Sequence, residues 1–133
     1  MDEIVEGAVQ FRADEDGWQA LFAAIDRRDA PAFAAFLTPD AEFRFGNAPP
    51  VFGRPAIARA VGDFFGMIAA CRHRGTGWWQ GASSAVCEGQ VSYTVPSGKT
   101  VTLPFVNVLD LTDAGVSSYR IYIDNGPLLA AVG

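Results

Sequence analysis

The sequence predicts one α+β domain: three N-terminal helices with a strongly curved, mainly antiparallel sheet wrapped around them. Three observations lead there. Apolar residues first recur at helical spacing; from about position 73 the period changes to 2 and β-branched residues accumulate; and short turns separate the strand candidates. Short turns make antiparallel neighbours, and helices followed by a strand meander is the α+β order. Strands this long, bent around only three helices, need not fill their concave side, so a cone with an internal cavity follows.

Each element has its own signal. Asp14, Glu15 and Asp16 precede "WQALFAAIDRR", where Trp18, Leu21, Phe22 and Ile25 fall on one helical face, with acids at the positive end and arginines at the negative end. Asp29 and Pro31 open a second, short helix, "PAFAAFL", which "TPD" ends. In "AEFRFGNAPPVFGRPAI", Phe43 and Phe45 share one face of a strand and Arg44 takes the other, before Gly46, Asn47, Pro49 and Pro50 interrupt the chain. A third helix, "RPAIARAVGDFFGMIAAC", turns Ile57, Val61, Phe64, Phe65 and Ile68 inward. The strands are then "HRGTGWWQ", "SAVCEGQVSYTV", "KTVTLPFVNVLDL" and "VSSYRIYID".

Length and composition limit the function. At 133 residues the chain is a single domain, 1–133, with 1–15 as an N-terminal extension. A formal charge of -5 with scattered basic residues excludes phosphate backbones as partners, so no nucleic acid is expected. Cys71 and Cys87 are no CxxC pair, and the single histidine, His73, completes no zinc or iron spacing; neither a metal nor a cofactor is expected. No segment has the roughly 18 uninterrupted apolar residues of a membrane span, which leaves a cytoplasmic protein with reduced thiols and no membrane partner.

The stretches "AIDRRDAPAFAAFLTPDAEFRF", "PPVFGRPAI" and "VSYTVPSGKTVTLPFVNVLDLTDAGVSSYRIYIDNGPL" resemble the SnoaL-like branch of the nuclear transport factor 2-like superfamily, over about residues 16 to 130. That resemblance implies the cone-shaped, cystatin-like fold and an internal cavity used for isomerisation, hydration, cyclisation or plain binding. It transfers few catalytic groups. Leu21, Phe45 and Asn107 stand where steroid isomerases carry a tyrosine, an aspartate base and a protonated aspartate. Phe43, Phe45, Glu88, Gln90 and Ile121 stand where epoxide hydrolases hold their water and their arginine-bridged aspartates. Ile121 also replaces the acid of the cyclases.

The resemblance, combined with strand parity, turns Glu88, Gln90, Asn107 and Tyr119 into an otherwise apolar chamber. Trp18, Leu21, Phe43, Phe45, Phe64, Trp79, Phe105 and Ile121 are the further candidates for lining it. Phe43 and Phe45 serve equally as core filling or as pocket wall. Glu88 is the candidate acid or base, its pKa raised by burial, or else a solvated rim residue. Asn107 is the candidate oxyanion donor, and His73 is either a proton shuttle or a surface residue beside Arg72 and Arg74. Trp78 and Trp79, being adjacent, face opposite ways.

The expected function is binding of a small hydrophobic molecule, aromatic, polyketide- or steroid-like, by a cofactor-free isomerase, cyclase or dehydratase. The alternative is a non-catalytic ligand-binding or dimeric interaction module. A homodimer is expected through the outer face of the sheet, whose strands carry apolar residues on both faces.

Overall fold

Asp14 opens the first helix: its carboxylate accepts from the Gly17 amide at 2.8 Å, and Glu15 and Asp16 follow in the first turn. In the computed structural model, which describes residues 9–133, helix α1 (Glu15–Asp26) buries Trp18, Leu21 and Phe22. Gly17 is needed there, because a Cβ would stand 1.7 Å from the Arg12 carbonyl oxygen. Part of the expected extension joins the core. The Val9 amide donates to the Ala35 carbonyl at 3.0 Å, and Phe11 packs edge-on against Trp18 with ring centroids 5.2 Å apart. Residues 1–8 lie outside the described residues.

Helix α2 (Ala30–Ala34) is capped by Asp29, which accepts from the Ala32 amide at 3.0 Å. It is shorter than "PAFAAFL" suggests, since strand β1 (Leu37–Phe45) takes over at Leu37. The Pro-rich loop and the two-residue strand β2 (Val51–Phe52) lead into α3 (Arg54–Met67). Arg54 fixes that entry by donating from Nε and Nη2 to the Leu37 carbonyl, at 3.1 and 2.7 Å. The third helix was expected to reach Cys71; it ends at Met67. Ile68 is extended, the Ala69 amide bonds the Thr94 carbonyl at 2.7 Å, and Ala70 and Cys71 already pair with Thr94 and Tyr93. Pairing in the sheet outweighs the weak helical preference of this segment.

Strands β3 (Ala70–Gln80), β4 (Ser84–Thr94), β5 (Thr100–Thr112) and β6 (Gly115–Tyr122) form the meander. A short helix, α4 (Gly126–Val132), follows and buries Leu128. The six-stranded sheet runs β2-β1-β6-β5-β4-β3, with β1 parallel to β6 and every other pair antiparallel. Curvature comes from irregular pairing. Gly75 faces Gly89 but Gly77 faces Glu88, leaving Thr76 as a bulge, and Gly89 has no room for a Cβ, which would sit 2.3 Å from the Arg74 carbonyl oxygen. A second shift lies between Asp110 and Leu111.

The curved sheet faces the helices. Its concave side carries Cys71 and His73 of β3, Cys87, Val91 and Tyr93 of β4, Leu103, Phe105 and Asn107 of β5, and Tyr119 and Ile121 of β6. Trp79 and Tyr122 stand exposed on the convex side. Among the described residues no helix is long and apolar enough to cross a membrane.

Candidate functional site

Between the concave face, α1, α2 and α3 lies a cavity of about 210 Å³. Hydrocarbon forms most of its wall: Phe33, Phe43, Phe45, Val61, Phe64, Phe65, Val91, Phe105 and Ile121, with Ala48 and Pro49 of the interrupting loop also contributing. Phe43 and Phe45 thus line a space and help fill the core at once, since Phe43 also packs edge-on against Phe33. The rings interlock. Phe45 meets Phe64 edge-on with centroids 5.0 Å apart, Phe64 meets Tyr93 at 5.4 Å, and Phe33 meets Tyr119 at 5.1 Å.

Besides the Tyr93 phenol, polar groups interrupt this wall in two places. In the first, Asn107 Nδ2 donates to the Tyr119 hydroxyl at 3.1 Å, both residues being buried. Asn107 Oδ1 has no partner among the described residues. Burial holds the Tyr119 phenol well above its usual pKa, so it stays protonated and keeps its own O–H free to donate.

In the second, His73 meets Asp26, the last residue of α1. Nδ1 lies 2.6 Å from Asp26 Oδ1, while Asp26 Oδ2 accepts from the His73 backbone amide at 2.9 Å. The carboxylate therefore grips ring and backbone together. Phe22 stacks on the imidazole with centroids 4.6 Å apart and an interplanar angle of 11°, and Phe105 closes its edge. With Nδ1 committed to Asp26, Nε2 is the other ring nitrogen of a residue that lines the cavity.

Cys71 completes a cluster, its Sγ 3.6 Å from Asp26 Oδ1 and 3.8 Å from His73 Nδ1. Burial, then the neighbouring Asp26 carboxylate, pushes the thiol far up, so it is no nucleophile at neutral pH. Burial likewise raises Cys87 to about 12. The ligand atoms of Asp26, Cys71 and His73 lie within 4.8 Å of one another, near enough to raise the question of a metal. Ligands around a tetrahedral zinc at roughly 2.0 Å would stand roughly 3.3 Å apart. The Nδ1 to Oδ1 separation of 2.6 Å is instead that of a hydrogen bond.

Several candidates point elsewhere. Glu88 and Gln90 are exposed on the convex face, opposite to their expected direction; Gln90 accepts from Arg74 Nη2 at 3.3 Å. The reason is register: Asn107 faces inward and pairs with Cys87, so Cys87 shares its face and Glu88 cannot. Trp79 is 56% exposed on the same convex side, while Trp78 is the tryptophan that packs against the core. Trp18 and Leu21 are wholly buried in the filled core beside the cavity. Asn107, His73, Phe43, Phe45, Phe64, Phe105, Tyr119 and Ile121 do line it.

Asp26 was missed by sequence reasoning. It lies four residues after Phe22, hence on the inward stripe of α1, and an acid there was the available signal.

The comparisons with known proteins agree with this architecture. The family model of the SnoaL-like domain matches residues 18–119. The chain belongs to the SnoaL-like family. Among solved structures it is similar to a candidate polyketide cyclase from Xanthomonas campestris pv. campestris, at 22% identity and a TM-score of 0.75, covering 87% of this chain and 93% of that one. An NTF2-like protein of unknown function from Burkholderia pseudomallei K96243 gives 19% identity and 0.78, over 86% and 93%. A hypothetical protein with a ketosteroid isomerase-like fold from Catenulispora acidiphila DSM 44928, in complex with trimethylamine, gives 16% and 0.77, over 85% and 88%. At these identities the likeness shows the fold alone. No curated protein sequence matches the chain. The SnoaL-like assignment therefore establishes the cone-shaped scaffold, and the chemistry rests on the residues inside it.

Proposed function

We propose that the protein binds a small apolar molecule in the cavity and moves a proton on it without a cofactor. One observation carries this reading: a His73–Asp26 hydrogen bond of 2.6 Å at the wall of a mostly hydrocarbon chamber. Asp26 holds the imidazole in the tautomer that leaves Nε2 unprotonated, the form that accepts a proton. Nε2 takes a proton from a carbon beside a carbonyl, the C–H electron pair becomes a C=C bond while the carbonyl π pair moves to the oxygen, and the Tyr119 hydroxyl, itself accepting from Asn107 Nδ2, donates to that enolate oxygen. Return of the proton to a different carbon makes the net change an isomerisation. Glu88, on the far side of the sheet, has no part in it.

The test is solvent deuterium incorporation into cyclohex-2-enone, followed by NMR. We expect His73→Ala to slow exchange by about 10²-fold or more. Exchange unaffected by that substitution would remove His73 and leave the non-catalytic binding reading.

A second proposal concerns assembly. Exposed Trp79 and Tyr122 on the convex face favour pairing of two copies through the sheet. Gel filtration of the wild type should then give a dimer and Trp79→Ser a monomer; a wild-type monomer at micromolar concentration would refute it. The two unbonded cysteines, both buried, support placing the protein in a reducing compartment such as the cytoplasm.

A further inference from the structure

The dimensions and polarity of the cavity narrow the guest well beyond "apolar". Pockets for drug-sized ligands begin at about 300 Å³, whereas a dry apolar cavity of about 150 Å³ suffices for benzene. At about 210 Å³ the space holds one ring with small substituents. Three or four fused rings would have to project out of it. Widening it means disturbing interlocked rings, because Phe64 is braced edge-on by both Phe45 and Tyr93, and Phe33 by both Phe43 and Tyr119.

Charge narrows it again. Among the described residues no lysine or arginine lines the cavity, so no fixed positive charge there would offset the lost hydration of a carboxylate or phenolate as it enters. The guest therefore enters neutral, and an anion arises there only together with the imidazolium that its proton makes of His73. The remaining constraint is Asn107, which lines the cavity, is 2% exposed and carries an amide oxygen with no hydrogen-bond partner. A buried acceptor left unpaired disfavours the empty state, and a guest that donates to it relieves that cost. Tyr119, whose oxygen accepts from Asn107, has its own O–H to offer. The pair thus presents one acceptor and one donor side by side, and these are the needs of an enol hydroxyl and of its ketone.

We propose that the cavity takes a neutral single-ring compound bearing one hydroxyl, a phenol or the enol of a cyclic ketone, with that hydroxyl on Asn107. This rests on the reading of the cavity as a ligand site, and the experiment separates the two. Isothermal titration of the full chain with phenol, toluene, 2-naphthol and estradiol compares size and hydroxyl independently. Phenol should bind about tenfold more tightly than toluene, the worth of one buried hydrogen bond, with 2-naphthol weaker and estradiol without measurable binding. In Asn107→Leu, phenol and toluene should bind alike; Tyr119→Phe, which keeps Asn107, should retain a preference for phenol and serves if the leucine variant does not fold. Tighter binding of estradiol or 2-naphthol than of phenol would overturn the single-ring limit. Equal binding of phenol and toluene to the wild type would overturn the hydroxyl assignment. If none of the four binds, the ligand-site reading itself falls.

Discussion

Two carboxylates sit on opposite sides of one sheet. Asp26 reaches the concave side from α1 and holds His73 by ring and backbone; Glu88 stands on the convex side of β4 with no side-chain partner among the described residues. The sequence draws attention to Glu88, because it falls in a strand beside inward positions. What separates the two acids is the face they occupy and what surrounds them, and residue type says neither.

The inside–outside contrast is sharpest for the tryptophans. Trp18 is wholly buried and touches Phe11 and Phe22, whereas Trp79 is largely exposed. Trp18→Ala should cost about 3–5 kcal/mol of stability in urea unfolding, and Trp79→Ala no more than about 0.5 kcal/mol in the monomer. A comparable loss at both positions would mean that the convex face is as well covered as the core.

Catalysis supplies the next contrast. Asp26→Asn should lower enone exchange by about 10²-fold, since an amide can no longer hold the imidazole in its base tautomer, and Glu88→Gln should leave it unchanged. Loss of exchange in Glu88→Gln would move the reacting centre to the other side of the sheet.

Alkaline pH tests the concave side as a whole. Cys71, Cys87, Tyr93 and Tyr119 are all raised, each chiefly by burial. Raised groups of this kind stay protonated in the folded protein while the unfolded chain ionises. Their stabilisation is therefore complete below the ordinary thiol and phenol values and is lost as pH climbs beyond about 9 toward the folded values. For Cys87 that window closes near 12. The urea midpoint should fall steadily from pH 8.5 to 10.5, and iodoacetamide at pH 8 should leave both thiols unmodified in the native state. A flat midpoint, or rapid alkylation, would show that water reaches them.

Much of this arrangement is legible in the sequence, and the illegible part has definite causes. Helical spacing at Trp18, Leu21 and Phe22 and alternation in the last four strands give the layers. The end of α3 is not legible, because its last residues suit either state and only pairing of Ala70 and Cys71 with β4 decides. Nor is α4, whose sequence after Asn125 is short and whose anchor is the single buried Leu128. The direction of Glu88 was decidable without coordinates. A hairpin closed across Pro96, Ser97 and Gly98 pairs Thr94 with Thr100, and counting outward brings Asn107 opposite Cys87. That count overrides the family register used to turn Glu88 inward. The size of the cavity is different in kind: it depends on how Phe33, Phe64 and Tyr119 interlock, which no periodicity specifies.

A small effect is expected at an ion pair on the other face, and it completes the contrast between the faces. On the convex side Arg120 Nη1 donates to Asp110 Oδ2 at 2.9 Å, a distance close to that of Asp26 and His73. The surroundings differ. Asp110 keeps 52% of its side chain in water and Arg120 24%, so both ions remain hydrated and salt screens their attraction. The Asp110 bond raises the Arg120 pKa, which leaves that guanidinium charged at every usable pH. Asp110→Asn should therefore change stability by less than about 1 kcal/mol, and by still less in about 0.5 M NaCl. His73 has only 8% of its side chain exposed, with Phe22 stacked on it, so Asp26→Asn should act on enone exchange almost equally at both ionic strengths. Equal salt sensitivity at the two positions would mean that the concave pair is as wet as the convex one, and the proton-transfer role of His73 would lose its support.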